Sequence, residues 1–508
     1  MYSQKPVFVY PEGSFWAGYT PFERKRFLFH TVIAIACLPL YYLFPFKFGL
    51  FVSPYLFFLA VRPKNEYLFP IVIHMLYGTQ QRYFFMLGCF IYVLLHCMEL
   101  RRYALGWVYG LYMLALPYFL WFLWQKMQMP RFGSGIAENF GGLMTHFVFA
   151  PAFWGALVVK KTGRPFFRGM LAVSVGLLLA MSLLGGGASL DRGDGMGAER
   201  TVFSYLFFFA VAWIPSAFVF VMRQKVRGYA VEKFLCYVGI LLIVFGFFHV
   251  LRFSLSFTGV GLGIFSAFLA WISGWHKVKT VLLILLPMCF ALSAMFVLAS
   301  EDFVYKYGSL YADEGAYNEM KVDSVDGVLK KLQRKSVDDR AAIWAHTINY
   351  IKNEILPSPI WVKPAPYMTM DMYTDGGRRY TVYLAVHSHN VMLNMIRYYG
   401  FYGGLALYVV YIWFVCKKET RGAFRELKQR PSVVVLATCI AEFIIGGHTG
   451  GYPLQPSVGI ALFACLGACW GEMRDLHRRM RQVRFVSPFE PWRPELPHMR
   501  RFGRGATL

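Results

Sequence analysis

Acidic side chains are scarce in this sequence: 28 Asp and Glu stand against 52 Lys and Arg, a net charge of +24 over 508 residues. No Asp-x-Asp pair occurs, which disfavours a metal–nucleotide-sugar site. No G-x-x-x-x-G-K-[ST] loop is present to cradle ATP phosphates, so ATP-driven transport lacks support. Neither H-E-x-x-H nor a Cys/His set at ligand spacing appears, so no metal is expected. The nine cysteines (37, 89, 97, 236, 289, 416, 439, 465, 469) lie in or beside apolar runs, and none falls in the polar stretch 300–388. That distribution argues against a disulfide framework; Cys465 and Cys469 share a helix face, where membrane cysteines pack as small hydrophobes. Acids inside apolar runs are rare as well, Glu442 being the plainest.

Apolar side chains supply the bulk, at 57% hydrophobic and 19% aromatic. The mean hydropathy is +0.44. A bilayer core takes roughly 20 apolar residues per helical crossing, and such runs recur along the whole chain. They fall near 27–45, 47–61, 67–79, 83–98, 104–124, 142–159, 166–184, 202–222, 231–251, 255–273, 280–299, 390–416, 432–447 and 455–471. The expected fold class is all-α, a polytopic membrane protein with 12 to 14 transmembrane helices and one large periplasmic loop. The run at 67–79 is short enough to be re-entrant or merged with its neighbour. The first 26 residues lack a signal-peptide pattern, so the first span is expected to stay as an anchor.

The positive charge has two readings, nucleic acid or membrane topology. Topology is favoured, because Lys and Arg collect in short loops and in the tail. Arg62 with Lys64, Arg101 with Arg102, Lys160 with Lys161 and Arg164, 223–227, 276–279, 417–421, the N-terminal ERKR and the tail then share one cytoplasmic side. The exterior side receives 125–141, 185–200, the turn at Arg252, 300–388 and 446–453. The chain divides into a cytoplasmic N-terminus 1–26, a bundle 27–299, a periplasmic loop 300–388, C-terminal membrane helices 389–471, and a basic tail 472–508 expected to be disordered or surface-lying. Within the loop, 323–355 carries partial helical periodicity that the prolines of 356–367 end.

The residues 385–404, AVHSHNVMLNMIRYYGFYGG, place titratable groups at the start of a membrane helix. Ser388 or Asn390 can cap that helix. A helix N-terminus disfavours imidazolium, so His387 or His389 there stays neutral and can accept a proton as a general base. The plainer alternative is that both merely ease the helix into water. Gly400, Gly403 and Gly404 further along signal close packing. Exterior arginines form the second element: Arg340 and nearby Trp344, Arg378, Arg379, Arg252, Arg192 and Arg200. Guanidinium forks hold phosphate by paired hydrogen bonds, although each arginine taken singly also suits a snorkelling role.

His389-Asn390, nine residues, Gly400, two residues and Gly403 together resemble the signature of the O-antigen ligase and O-antigen polymerase superfamily. That signature is His, then Asn, Ser or Gln, nine residues, Gly, two residues, then Gly, Thr or Tyr. His387 does not fit the register, because the same count lands on Tyr398. The segment 338–359 is similar to the family's arginine–tryptophan helix, which points to Arg340, and 251–268 looks like a degraded serine–arginine turn, which points to Arg252. The spacing at Arg252 departs from the family's, so Arg192 and Arg200 are rivals. The resemblance covers mainly 250–410.

The resemblance implies an inner-membrane glycosyltransferase with a GT-C-like helical fold and no cofactor or metal, acting in lipopolysaccharide or polysaccharide biosynthesis. The donor would be a glycan on undecaprenyl diphosphate. The acceptor would be lipid A core for a ligase, another glycan for a polymerase, or a protein for an O-oligosaccharyltransferase. In this scheme His389, Arg340 and Arg252 are catalytic. Asn390, His387, Arg378, Arg379, Trp344, Arg192 and Arg200 bind substrate. The single large loop favours the ligase. A transporter or flippase for the same lipids would place charges along mid-membrane helices and repeat the chain's halves, and a purely structural subunit leaves the motif unexplained.

Overall fold

A computed structural model describes residues 10, 14–43, 45–77, 81–100, 117, 120, 124, 149–183, 197–224, 227–249, 257–274, 280–282, 347, 348, 350–357, 367–373, 379–385, 390–449 and 456–486. Helices dominate. They are α1 (Pro21–Leu43), α2 (Pro45–Val61), α3 (Leu68–Tyr77), α4 (Gln81–Leu95), α5 (Ala150–Val158), α6 (Gly163–Leu183), α7 (Gly197–Arg223), α8 (Ala230–His249) and α9 (Phe257–Ile272). After a two-stranded ribbon, β1 (Tyr367–Tyr373) and β2 (Arg379–Ala385), come α10 (Val391–Cys416), α11 (Lys418–Glu426), α12 (Ser432–Ala441) and α13 (Pro456–Val486). The helical class expected from the apolar runs holds, with the ribbon as an addition.

Local chemistry sets the ends. Thr20 and Glu23 form a reciprocal capping box ahead of α1: the Glu23 carboxylate accepts from the Thr20 backbone N–H at 2.7 Å, and the Thr20 hydroxyl accepts from the Glu23 N–H at 3.2 Å. Pro21 opens the helix where no backbone donor is needed. The run at 67–79 becomes the separate ten-residue α3, buried over Leu68–Leu76. Helix α13 meets α5 closely enough that any side chain at Gly467 would collide with the Ala152 carbonyl. The same helix corrects the boundary expected at 471. It continues unbroken to Val486, because 472–486 holds good helix formers without proline or glycine and an Asp475–Arg479 pair at 2.7 Å. The remainder of the tail, 487–508, lies outside the described residues.

One helical stretch among the described residues, Tyr399–Glu426, is long and apolar enough to cross a membrane by length and composition. Shorter apolar helices are Phe51–Val61, Phe84–Leu95, Phe209–Arg223, Gly259–Ile272 and Ser432–Gly446. Large apolar side chains also face outward. On α8, Val231, Phe234, Tyr237, Leu241, Val244 and Phe245 form an exposed stripe, with Leu241 at 68%.

The ribbon is antiparallel, pairing Tyr367 with Ala385 and Tyr373 with Arg379. It ends five residues before Asn390.

Candidate functional site

Helix α10 is two helices. Gly400 sits at φ 73°, ψ 177° inside it, a conformation essentially confined to glycine. The chain reverses there. A side chain on Gly404 would strike the backbone of Ile396, eight residues earlier, a separation that a straight helix opens to about 12 Å. A short arm, 391–399, therefore lies antiparallel against a long arm, 401–416. The glycines do allow close contact, as their spacing suggested, but the contact is within one hairpin rather than between separate spans. The run expected as one span over 390–416 is broken at Gly400, and the physical reason is the positive φ there.

Asn390 caps the short arm. Its side-chain oxygen accepts from the Leu393 N–H at 3.2 Å, and its amide nitrogen donates to the His448 carbonyl at 3.3 Å. His448 ends the run that continues from α12 through a π-helical stretch, Glu442–Gly446, and the turn Gly447–Thr449. Nδ1 of His448 lies 2.8 Å from the Ile444 carbonyl, and Nε2 lies 2.7 Å from the Tyr408 hydroxyl on the long arm. A carbonyl only accepts, so Nδ1 carries the proton and Nε2 accepts from the tyrosine. Burial lowers the pKa of His448 despite that carbonyl, so the ring is neutral. The Tyr411 hydroxyl donates to the Phe443 carbonyl at 2.5 Å. Tyr408 and Asn390 thus both reach His448, and the apex at Gly400 lies about 12–15 Å beyond them along the two arms. Asn390 is 2% exposed.

Of the residues expected to act, Asn390 is the one whose side chain is described, and it performs the capping role considered for it. His387, His389, Arg340, Trp344, Arg252, Arg192 and Arg378 lie outside the described residues. Arg200 is in the first turns of α7 and Arg379 opens β2, and their side chains are likewise outside the description. The expected loop helix is described at its C-terminal end, where Thr347, Ile348, Tyr350 and the π-helical Ile351–Ile355 are helical.

Four polar residues at this end were not singled out from sequence: Tyr408, His448, Asn394 and Arg397. Asn390, Asn394 and Arg397 recur at i, i+4 and i+7, a spacing readable as one helix face. Asn394 is 0% and Arg397 1% exposed. The Arg397 guanidinium carbon lies 5.7 Å from the centre of the Tyr350 ring, close enough for a cation–π contact.

The other end of the bundle is polar in a different way. The Glu472 carboxylate accepts from Thr162 N–H and hydroxyl (both 3.1 Å), the Ser432 hydroxyl (2.7 Å) and Arg430 (3.1 Å). Glu232 receives Arg164 at 2.7 Å and Arg168 at 2.9 Å, and Glu66 pairs with Arg26 at 2.5 Å. Lys161 donates to the Ala17 carbonyl at 3.1 Å and sits 4.2 Å over the Tyr19 ring. Burial lowers its pKa from 10.5 to about 8. Glu442, midway between the ends, is 1% exposed, and neither carboxyl oxygen has a hydrogen-bond partner among the described residues. No group of three His, Cys, Asp or Glu side chains converges among the described residues in a way that could hold a metal.

Comparisons with protein-family models, with curated proteins and with solved structures find no match to this chain.

Proposed function

We propose that this chain is a polytopic inner-membrane glycosyltransferase that moves a glycan from undecaprenyl diphosphate to an acceptor hydroxyl on the periplasmic side, in the manner of an O-antigen ligase. The carrying observation is the coincidence of motif and backbone. The glycine that closes the nine-residue spacing after His389-Asn390 is Gly400, and the chain adopts at that position a conformation that excludes other residues. Asn390, the second motif residue, caps the arm and ties it to His448. The membrane placement is supported by the outward apolar stripe on α8, which would be an aggregation-prone patch in water.

In this reading His389 takes the proton of the acceptor hydroxyl. The oxygen attacks the anomeric carbon, the bond from that carbon to the diphosphate oxygen breaks, and the lipid diphosphate leaves with the electron pair. Exterior arginines, Arg340 first, neutralise the departing charge, a role that commonly carries about 10²–10³ in rate per donor group. Membrane lipids and lipid-linked glycan are the partners, and nucleic acid has no part.

Product analysis in cells lacking the gene tests the reading. Full-length glycan stranded on the lipid carrier identifies a ligase, loss of polymer length identifies a polymerase, and unglycosylated protein acceptors identify an oligosaccharyltransferase. Unaltered glycans in every fraction contradict all three.

A transporter reading has one observation behind it, a buried Glu442 in a π-helical stretch with no hydrogen-bond partner among the described residues, since intramembrane acids mark proton paths and π-bulges gather at functional sites. Glu442→Gln separates the two: a transferase keeps its rate within about threefold, whereas a proton-coupled carrier stops (on the order of 10²-fold or more).

A further inference from the structure

Glu442 is the one acidic or basic residue in the run from Ser432 to Thr449 besides His448, and it opens the π-helical stretch Glu442–Gly446. It is 1% exposed, and neither carboxyl oxygen has a hydrogen-bond partner among the described residues. The described elements around it bring neutral groups. Helix α9 passes the stretch where Gly261 faces Ile445, and it holds no titratable side chain from Phe257 to Ile272. Helix α7 packs on α12 and holds none from Leu206 to Met222. The long arm of α10 brings Tyr408 and Tyr411, α13 brings Cys465, and the run itself adds Cys439 and His448. The short arm meets the run at Gly447 through Val391, and its one charge, Arg397, is six residues further along.

The same stretch is where the hairpin is attached. A π turn spaces its backbone bonds one residue wider than an α-helix, and two carbonyls here take side-chain donors. Phe443 accepts from the Tyr411 hydroxyl at 2.5 Å and Ile444 from Nδ1 of His448 at 2.8 Å. His448 accepts in turn from Asn390 at its carbonyl and from Tyr408 at Nε2. The buried acid is thus the direct chain neighbour of the first bond in the network that holds both arms.

We propose that Glu442 is a binding site for one exchangeable proton, and that the bound proton keeps the π-helical stretch joined to the two arms of α10. With the proton in place the carboxyl is uncharged and fits among its apolar neighbours. Its release to bulk water leaves a carboxylate that must draw in water or move outward. Either shift pulls Phe443 and Ile444 away from Tyr411 and His448. The inference goes beyond the transferase reading and depends on neither transfer nor transport.

The test uses full-length protein in phospholipid vesicles, followed by infrared difference spectroscopy and hydrogen exchange. Wild-type protein at neutral pH is expected to show the C=O stretch of an un-ionised carboxylic acid free of hydrogen bonds. That band is missing from Glu442→Gln and disappears from the wild type in alkaline buffer. Over the same change, amides of 443–449 in the wild type lose protection about five- to tenfold after correction for intrinsic exchange, the scale of one lost hydrogen bond. Glu442→Gln, uncharged at every pH, keeps its protection. Tyr411, Cys439 and Cys465 remain in that variant, so the difference belongs to position 442. Tyr411→Phe retains the band and loosens 443–449 by a similar factor at neutral pH. A wild type without the band, whose carboxylate is then ionised and paired, overturns the proposal. So do a band and protection that ignore pH, equal alkaline losses in the wild type and Glu442→Gln, or unchanged exchange in Tyr411→Phe. Should Glu442→Gln fail to insert, the wild-type band and its pH dependence decide the matter. Absence of glycan transfer alongside the expected spectra sinks the transferase reading and leaves the proton site standing.

Discussion

Two polar regions sit at opposite ends of the helical run from Ser432 to Thr449, roughly 25 Å apart at 1.5 Å per residue. At the Ser432 end, carboxylates are matched to bases: Glu472 to Arg430, Glu232 to Arg164 and Arg168, Glu66 to Arg26. At the Thr449 end, the described hydrogen bonds join neutral groups, Asn390 to His448, His448 to Tyr408 and Tyr411 to Phe443. Paired charge staples helix ends and cancels itself. A neutral network holds shape by hydrogen bonds alone.

Perturbing each end should therefore give different phenotypes. The largest effect is expected from Gly400→Ala. A Cβ at that positive φ costs about 1–3 kcal/mol and re-aims the short arm, so transfer should fall on the order of 10²-fold with protein still present in the membrane. Wild-type transfer in that variant would break the contrast. Glu472→Gln comes next. Weakening four bonds to a buried carboxylate should cost about 1–3 kcal/mol, lowering the melting temperature and leaving kcat of the folded protein unchanged; a selective loss of kcat would show that the paired end takes part in the chemistry. The smallest effect belongs to Lys161. Its folded pKa of about 8 lies below the ordinary 10.5, so between those values the unfolded chain binds more protons and stability rises with pH. Lys161→Met should flatten that rise in melting temperature between pH 8 and 10.5, and an unchanged slope would assign it to another group.

Much of this was legible in the sequence, for physical reasons that differ between elements. Apolar runs such as 202–222, 231–251 and 432–447 fall on α7, α8 and α12 with its π-helical extension, because burial and backbone satisfaction act at the same length scale. The cap at Asn390 was readable because a side-chain amide before an apolar run has few other uses. The reversal at Gly400 was not: a glycine inside a helical pattern signals close packing and positive φ alike, and tertiary contact at Ile396 decides between them. The ribbon left a signal that went unused. Alternation in YMTMDMY and RYTVYLA on either side of an Asp-Gly-Gly sequence is a hairpin pattern. Glu472 escaped notice because its partners, Thr162, Arg430 and Ser432, are remote in sequence.

The most direct measurement is glycan transfer in vesicles from a purified undecaprenyl diphosphate-linked donor, comparing wild-type protein with His389→Ala at equal amounts. The account predicts product with the first and a drop of about 10²–10⁴-fold with the second, the range lost with a general base. Equal product from both, or none from the wild type, would contradict it.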